Sequence, residues 1–123
     1  MKVIIDLIED IRESIDNDRS FTLSVMGLSE NENGTFTPSW QSDISSFRLD
    51  ERSKKMFLFM GKDEALDIGV FIETLNALSN EAMMYELCVS YSKGDQRKDA
   101  PLIGFGESLE DKKYLLFIAD QQH

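Results

Sequence analysis

Catalysis in a chain this short must come from few side chains. The only histidine, His123, is the last residue, and a terminal imidazole is a poor general base or metal ligand. The only cysteine, Cys88, lies in Glu86-Leu87-Cys88-Val89-Ser90, where strand alternation puts it on the same side as Glu86. A nearby carboxylate raises a thiol pKa, the opposite of what a nucleophile needs, so Cys88 reads as a structural residue without an internal disulfide partner.

The carboxylates fare little better. Asp63 and Asp67 stand four apart on a predicted helix and could share a cation, but the helix dipole favours acids in a first turn, and capping is the expected role. The stretch SENENG, from Ser29, has the look of a calcium loop; with Gly34 at the loop glycine, however, Ser29 and Trp40 occupy positions that require carboxylates, so a turn is expected. Gly104-Phe105-Gly106 lacks the third glycine and following helix of a dinucleotide site. Neither a nucleophile elbow nor a phosphate loop occurs. Glu110 and Asp111 beside Lys112 and Lys113 read as a solvated approach to a strand. No cofactor and no metal are expected.

What remains is charge. With 13 basic against 23 acidic residues the net charge is −10, a field that repels nucleic acid and anionic membranes and attracts basic proteins. Lys93, Arg97 and Lys98 cluster in one predicted loop, but the outward strand residues Thr22, Ser24, Glu86, Cys88 and Ser90 bring no aromatic to join them. Acids gather on Asp6, Glu9, Glu13 and Asp16, then again at Glu30 and Glu32, with the lone tryptophan, Trp40, close by. Carboxylates that steer a basic partner and an aromatic that anchors it make a plausible protein-binding set.

The elements that would carry this set follow from periodicity. Ile4, Leu7, Ile8, Ile11 and Ile15 recur at helical spacing within Val3 to Ile15, opposite the acids. Ile68, Phe71, Ile72 and Leu75 repeat that stripe 64 residues on, with Gly69 hinting at a close contact. A strand follows each helix: Phe21, Leu23 and Val25 in the first, Tyr85, Leu87 and Val89 in the second, each with one buried and one wet face. Weaker apolar stretches come next, TFTPSW with SSFRL and then PLIGF after the turn-rich SKGDQRKDAP, each giving one middle strand of edge or bulged type. The third strands are KKMFLFMG, from Lys54, and KKYLLFIA, from Lys112; they are apolar on both faces and are expected centrally in a covered sheet, with Phe57, Phe59, Leu115 and Phe117 in the core.

The expected fold is therefore α+β: a tandem α-β-β-β duplication, two helices packed on about six mostly antiparallel strands, related by a pseudo-two-fold. The single domain spans 1–123, repeat 1 being 1–61 and repeat 2 being 62–123. The offset between repeats falls from 64 to 58 across a shorter second connection. This layout is similar to the repeated strand-and-helix domains of Whirly and PUR nucleic-acid binders, permuted so that the helix leads. The likeness is one of layout and carries no motif.

No apolar run long enough for a membrane span occurs, and Asp6, Glu9, Asp10 and Glu13 interrupt any leader-like stretch, so a cytoplasmic protein is expected. The function expected is a non-enzymatic inhibitor that binds a basic, nucleic-acid-acting protein, similar in class to toxin-immunity proteins and to phage or plasmid inhibitors of host defence. Partner binding falls to Asp6, Glu9, Glu13, Asp16, Glu30, Glu32 and Trp40. Self-pairing into a homodimer also fits a chain of this size. Two alternatives stand beside this reading: a small acidic secretion-type chaperone and a carboxylate-based enzyme working through Asp and Glu in a cleft.

Overall fold

The computed structural model describes residues 1–61 and 63–120; Lys62 and residues 121–123, His123 among them, lie outside the described residues. Among the described residues the chain forms helix α1 (Ile4–Ile15), strands β1 (Thr22–Glu30), β2 (Phe36–Asp50) and β3 (Lys55–Met60), helix α2 (Ile68–Asn76), a 3-10 turn (Ala82–Met84), and strands β4 (Glu86–Lys93), β5 (Gln96–Ser108) and β6 (Lys113–Ala119). The architecture is α+β, with the six strands closed into a barrel in sequence order. Neighbours pair antiparallel except at β1–β6 and β3–β4, so β1, β3, β4 and β6 run one way and β2 and β5 return. Closure leaves none of these strands with a free edge. No helix among the described residues is long and apolar enough to cross a membrane.

Helix α1 buries the stripe Ile4, Leu7, Ile11 and Ile15. Asp6 turns back to accept the Val3 amide at 3.0 Å, and the helix stops where Asp16 adopts the left-handed region at φ 52°. Helix α2 buries Ile68, Phe71, Ile72 and Leu75, and its cap is Asp67, whose Oδ1 accepts the Val70 amide at 2.8 Å. Asp63 thus lies outside the helix and cannot share one of its faces with Asp67. The contact hinted at by Gly69 is with Arg19: an added Cβ would lie 2.8 Å from that side chain's Cγ, and the guanidinium reaches past it to Glu73.

The helices attach crosswise. Ile4 donates to the carbonyl of Tyr85 and Leu87 to that of Lys2, bridging Val3 to Glu86 at the start of β4; Ile68 donates to Phe21 and Leu23 to Leu66, bridging Asp67 to Thr22 at the start of β1. The rings of Phe71 and Phe47 meet edge-on with centroids 5.2 Å apart, and the Tyr114 hydroxyl donates to Asp10. The helices therefore close the barrel interior at the end where β1 and β4 begin, rather than covering its outer faces.

Pairing registers recur along the chain. Ser24 pairs with Leu115 as Cys88 pairs with Phe57, and Phe47 pairs with Leu58 as Phe105 pairs with Leu116. Bulges fall between Ile44 and Ser46 and between Leu102 and Gly104, and Lys54 and Lys112 are left-handed at φ 57° and 55°. Gly27 opposes Trp40 and Tyr91 opposes Lys98, so the β1–β2 hairpin extends further beyond its pair than the β4–β5 hairpin does.

Several expectations need correction. In β3 and β6 the inward residues are Met56, Leu58, Tyr114, Leu116 and Ile118, whereas Phe57, Phe59 and Phe117 are half-buried on the outside. Register decides this, because Met56 stands opposite Leu87 and Leu58 opposite Val89, and opposed residues share a face. Ile8 is likewise only half-buried. The second face of β1 and β4 is not wet: Ser24, Cys88 and Ser90 are all buried under neighbouring side chains. The single middle strand expected of TFTPSW with SSFRL is β2, but it is not an edge strand: it changes partner from β1 to β3 near Ile44. The expected loop before PLIGF shrinks to a turn at Gly94 and Asp95, so Lys93 ends β4 while Arg97 and Lys98 belong to β5.

Candidate functional site

Three surfaces carry concentrated chemistry. The first is the solvent side of α1. Glu9, Glu13 and Asp16 are exposed and take part in no ion pair among the described residues, while Asp6 is occupied in part by its capping bond. Arg12 shares this exposed side, so the row is acidic without being uniform.

The second lies at the opposite end of the barrel. β1 covers roughly 26 Å from Thr22 to Glu30 at about 3.3 Å per residue, placing Glu30, Glu32 and Trp40 far from the helix acids. Glu30 and Glu32 flank a hairpin tip in which Asn31 Oδ1 accepts the amides of Asn33 and Thr35 at 3.0 and 2.9 Å and Gly34 turns at φ 77°; it is the turn expected of SENENG. Trp40 is half-buried rather than projecting. Its indole lies against Gly27, where an added Cβ would come within 2.3 Å of the ring, and its Nε1 donates to Asp120 Oδ2 at 2.8 Å. The other oxygen of Asp120 accepts from Lys93 Nζ at 3.0 Å. Trp40, Met60, Tyr91, Lys93 and Asp120 line an open hollow of about 350 Å³, with the Trp40 and Tyr91 rings 5.5 Å apart. Burial pushes the Asp120 carboxyl up, but the bonds from Lys93 and Trp40 and the charges of Lys93 and Lys98 outweigh it and hold the group below the usual carboxylate value.

The third surface was not legible from alternation alone. On the outer face of β2–β3–β4–β5, the Arg48 guanidinium lies 5.8 Å from the Phe57 centroid and 6.0 Å from that of Phe59, and Arg97 lies 5.3 Å from Phe59. Arg97 Nε also donates to Ser90 Oγ at 2.7 Å. Neither guanidinium is ion-paired among the described residues. On β5, Gly106 pairs with Leu115 of β6, and the Phe117 ring packs down over it. Sequence reasoning missed the pair of arginines because it assigned Phe57 and Phe59 to the interior.

Elsewhere the chemistry is subdued. Asp18, Asp43 and Asp50 join Asp120 in being held low; for Asp43 the Ser24 hydroxyl at 2.6 Å is the main cause, followed by Lys113. A general acid would need the opposite shift. Burial, which the alternation did not predict, and then the Glu86 charge, which it did, push the Cys88 thiol up. Among the described residues no three His, Cys, Asp or Glu side chains converge as metal ligands would.

No protein-family model, no curated protein and no solved structure matches the chain.

Proposed function

We propose that this protein is a non-enzymatic binding protein that neutralises a basic, nucleic-acid-acting protein by covering its active surface, as toxin-immunity proteins and inhibitors of host defence do. The supporting observation is the row Glu9, Glu13 and Asp16: carboxylates without an ion pair among the described residues, on α1 and at its C-cap, where the helix's other side is locked into the core by Ile4, Leu7 and Ile11. Such a row presents fixed charge with little to reorganise on binding, which favours electrostatic steering. We place this activity in the cytoplasm.

The scaffold we read as a tandem α-β-β-β duplication with a pseudo-two-fold along the barrel axis. The reciprocal bridges Val3–Glu86 and Thr22–Asp67, the recurring registers and the paired bulges support it. Each repeat lends its helix start to the other's first strand.

The test is association kinetics with a partner captured at low salt, comparing wild type with Glu9→Lys/Glu13→Lys. The reversed variant should bind roughly tenfold or more slowly while keeping the wild-type melting temperature, since exposed charges seldom contribute more than about 1 kcal/mol to folding. The wild-type on-rate should fall as salt shortens the screening length from about 10 Å at 0.1 M. An on-rate indifferent to both charge reversal and salt would exclude α1 as the steering surface.

A further inference from the structure

The β1–β2 hairpin ends in an arm without contacts to match its order. Residues 30–39 are all exposed, yet the tip is fixed by the Asn31 bonds, and Phe36 shows 44 % of its surface to solvent beside Glu30, its partner across the hairpin. Glu30 and Glu32 have no ion pair among the described residues. The second half turns tightly at Gly94 and Asp95 and has no such arm. On the outer face of β2–β3–β4–β5 the chemistry is complementary: two guanidiniums lie over two half-buried phenylalanines and make no ion pair among the described residues, although Asp50 lies near enough to Arg48 to feel its charge.

We propose that the occupant of this face is a second copy of the chain, whose arm brings Glu30 and Glu32 onto Arg48 and Arg97 and Phe36 against Phe57 and Phe59. Arg48 and Arg97 both lie over the Phe59 ring, so their Cζ atoms are no more than about 11 Å apart, a span two carboxylates of one hairpin can address. Guanidinium forks match carboxylates in paired hydrogen bonds, and the rings add apolar contact at the centre. A nucleic acid would offer the same face a long polyanion, which the chain's net charge of −10 repels as a whole. The arm places only two carboxylates there, and at about 0.15 M salt screening over roughly 8 Å leaves that local pairing while damping the repulsion between protomers.

Sedimentation velocity across a concentration series at that salt tests the assignment. Wild type should dimerise reversibly. Arg48→Glu/Arg97→Glu and Glu30→Arg/Glu32→Arg should each weaken the dimer by about tenfold or more. An equimolar mixture of the two variants should restore it, because each then offers the charge the other lacks. Phe36→Ser, a change at an exposed tip, gives the same loss without altering charge, and a circular dichroism melt establishes that each variant is folded. A wild type that stays monomeric, a dimer indifferent to both reversals, or folded variants whose mixture stays monomeric would each overturn the proposal. None of these outcomes bears on α1, whose role is tested by its own charge reversal.

Discussion

Trp40 and Asp120 are joined by a 2.8 Å hydrogen bond across 80 positions of sequence, from the indole near the start of β2 to a carboxylate just beyond β6. The same carboxylate holds Lys93, and its backbone amide donates to Leu28 at 2.8 Å, so three strands and the chain after β6 are tied at one point of the rim.

Asp120→Asn keeps the shape and removes the charge. We expect a loss of about 1–3 kcal/mol at neutral pH, the usual cost of weakening a covered, charge-assisted bond, together with a shift in emission from the only tryptophan. The folded-state pKa of Asp120 is depressed, so its contribution is full above the unfolded value of about 3.9 and is lost as pH falls through the folded value. The gap between variant and wild type should therefore close in acid, which urea melts from pH 7 downward will measure. A gap that widens in acid would contradict the assignment.

The two faces of β3 give a second prediction. Leu58 is fully buried and Phe57 lies outside beneath Arg48, so Leu58→Ala should cost about 2–5 kcal/mol and Phe57→Ala distinctly less, despite the larger side chain removed. Equilibrium unfolding in denaturant gives both values. Equal costs would mean that the strand is turned over.

Tyr114 supplies the third. Burial first, then its bond to Asp10 and that residue's charge, push the hydroxyl far above its ordinary value. Because the folded pKa is raised, the stabilisation is complete below the unfolded value of about 10 and is lost as pH rises beyond it. Absorbance at tyrosinate wavelengths should show Tyr114 ionising only as the protein unfolds in alkali, and Tyr114→Phe should remove that late component. A Tyr114 signal appearing before unfolding would contradict the burial.

The helices were readable because a single apolar stripe has one phase: Ile4, Leu7 and Ile11 admit only one buried side. β1 and β4 were readable for the same reason. β3 and β6 were not, because Met56-Phe57-Leu58-Phe59 is apolar at every position and only its neighbour's register chooses the inner set. That ambiguity also hid the arginine face, which exists only if the phenylalanines look outward. β2 was expected as a single strand, but that it serves two neighbours in turn was not legible, because Pro38 and a run of serines dilute its alternation. The rim tie of Trp40, Lys93 and Asp120 had no local signal at all, since its members are distant in sequence and each is unremarkable where it stands.

The crosswise bridges bear on how the chain folds as it is made. The amide of Ile4 waits for the carbonyl of Tyr85, and Lys2 waits for Leu87, so the first helix emerges from a ribosome long before its docking site exists. At about 5–20 residues per second that delay lasts seconds, during which an apolar stripe of isoleucines stays without its strand partner. The barrel seam between β1 and β6 closes later still, once β6 has appeared. Neither α1 nor β1 can therefore complete its contacts until residues far along the chain have emerged, so the native state depends on contacts between residues far apart in sequence.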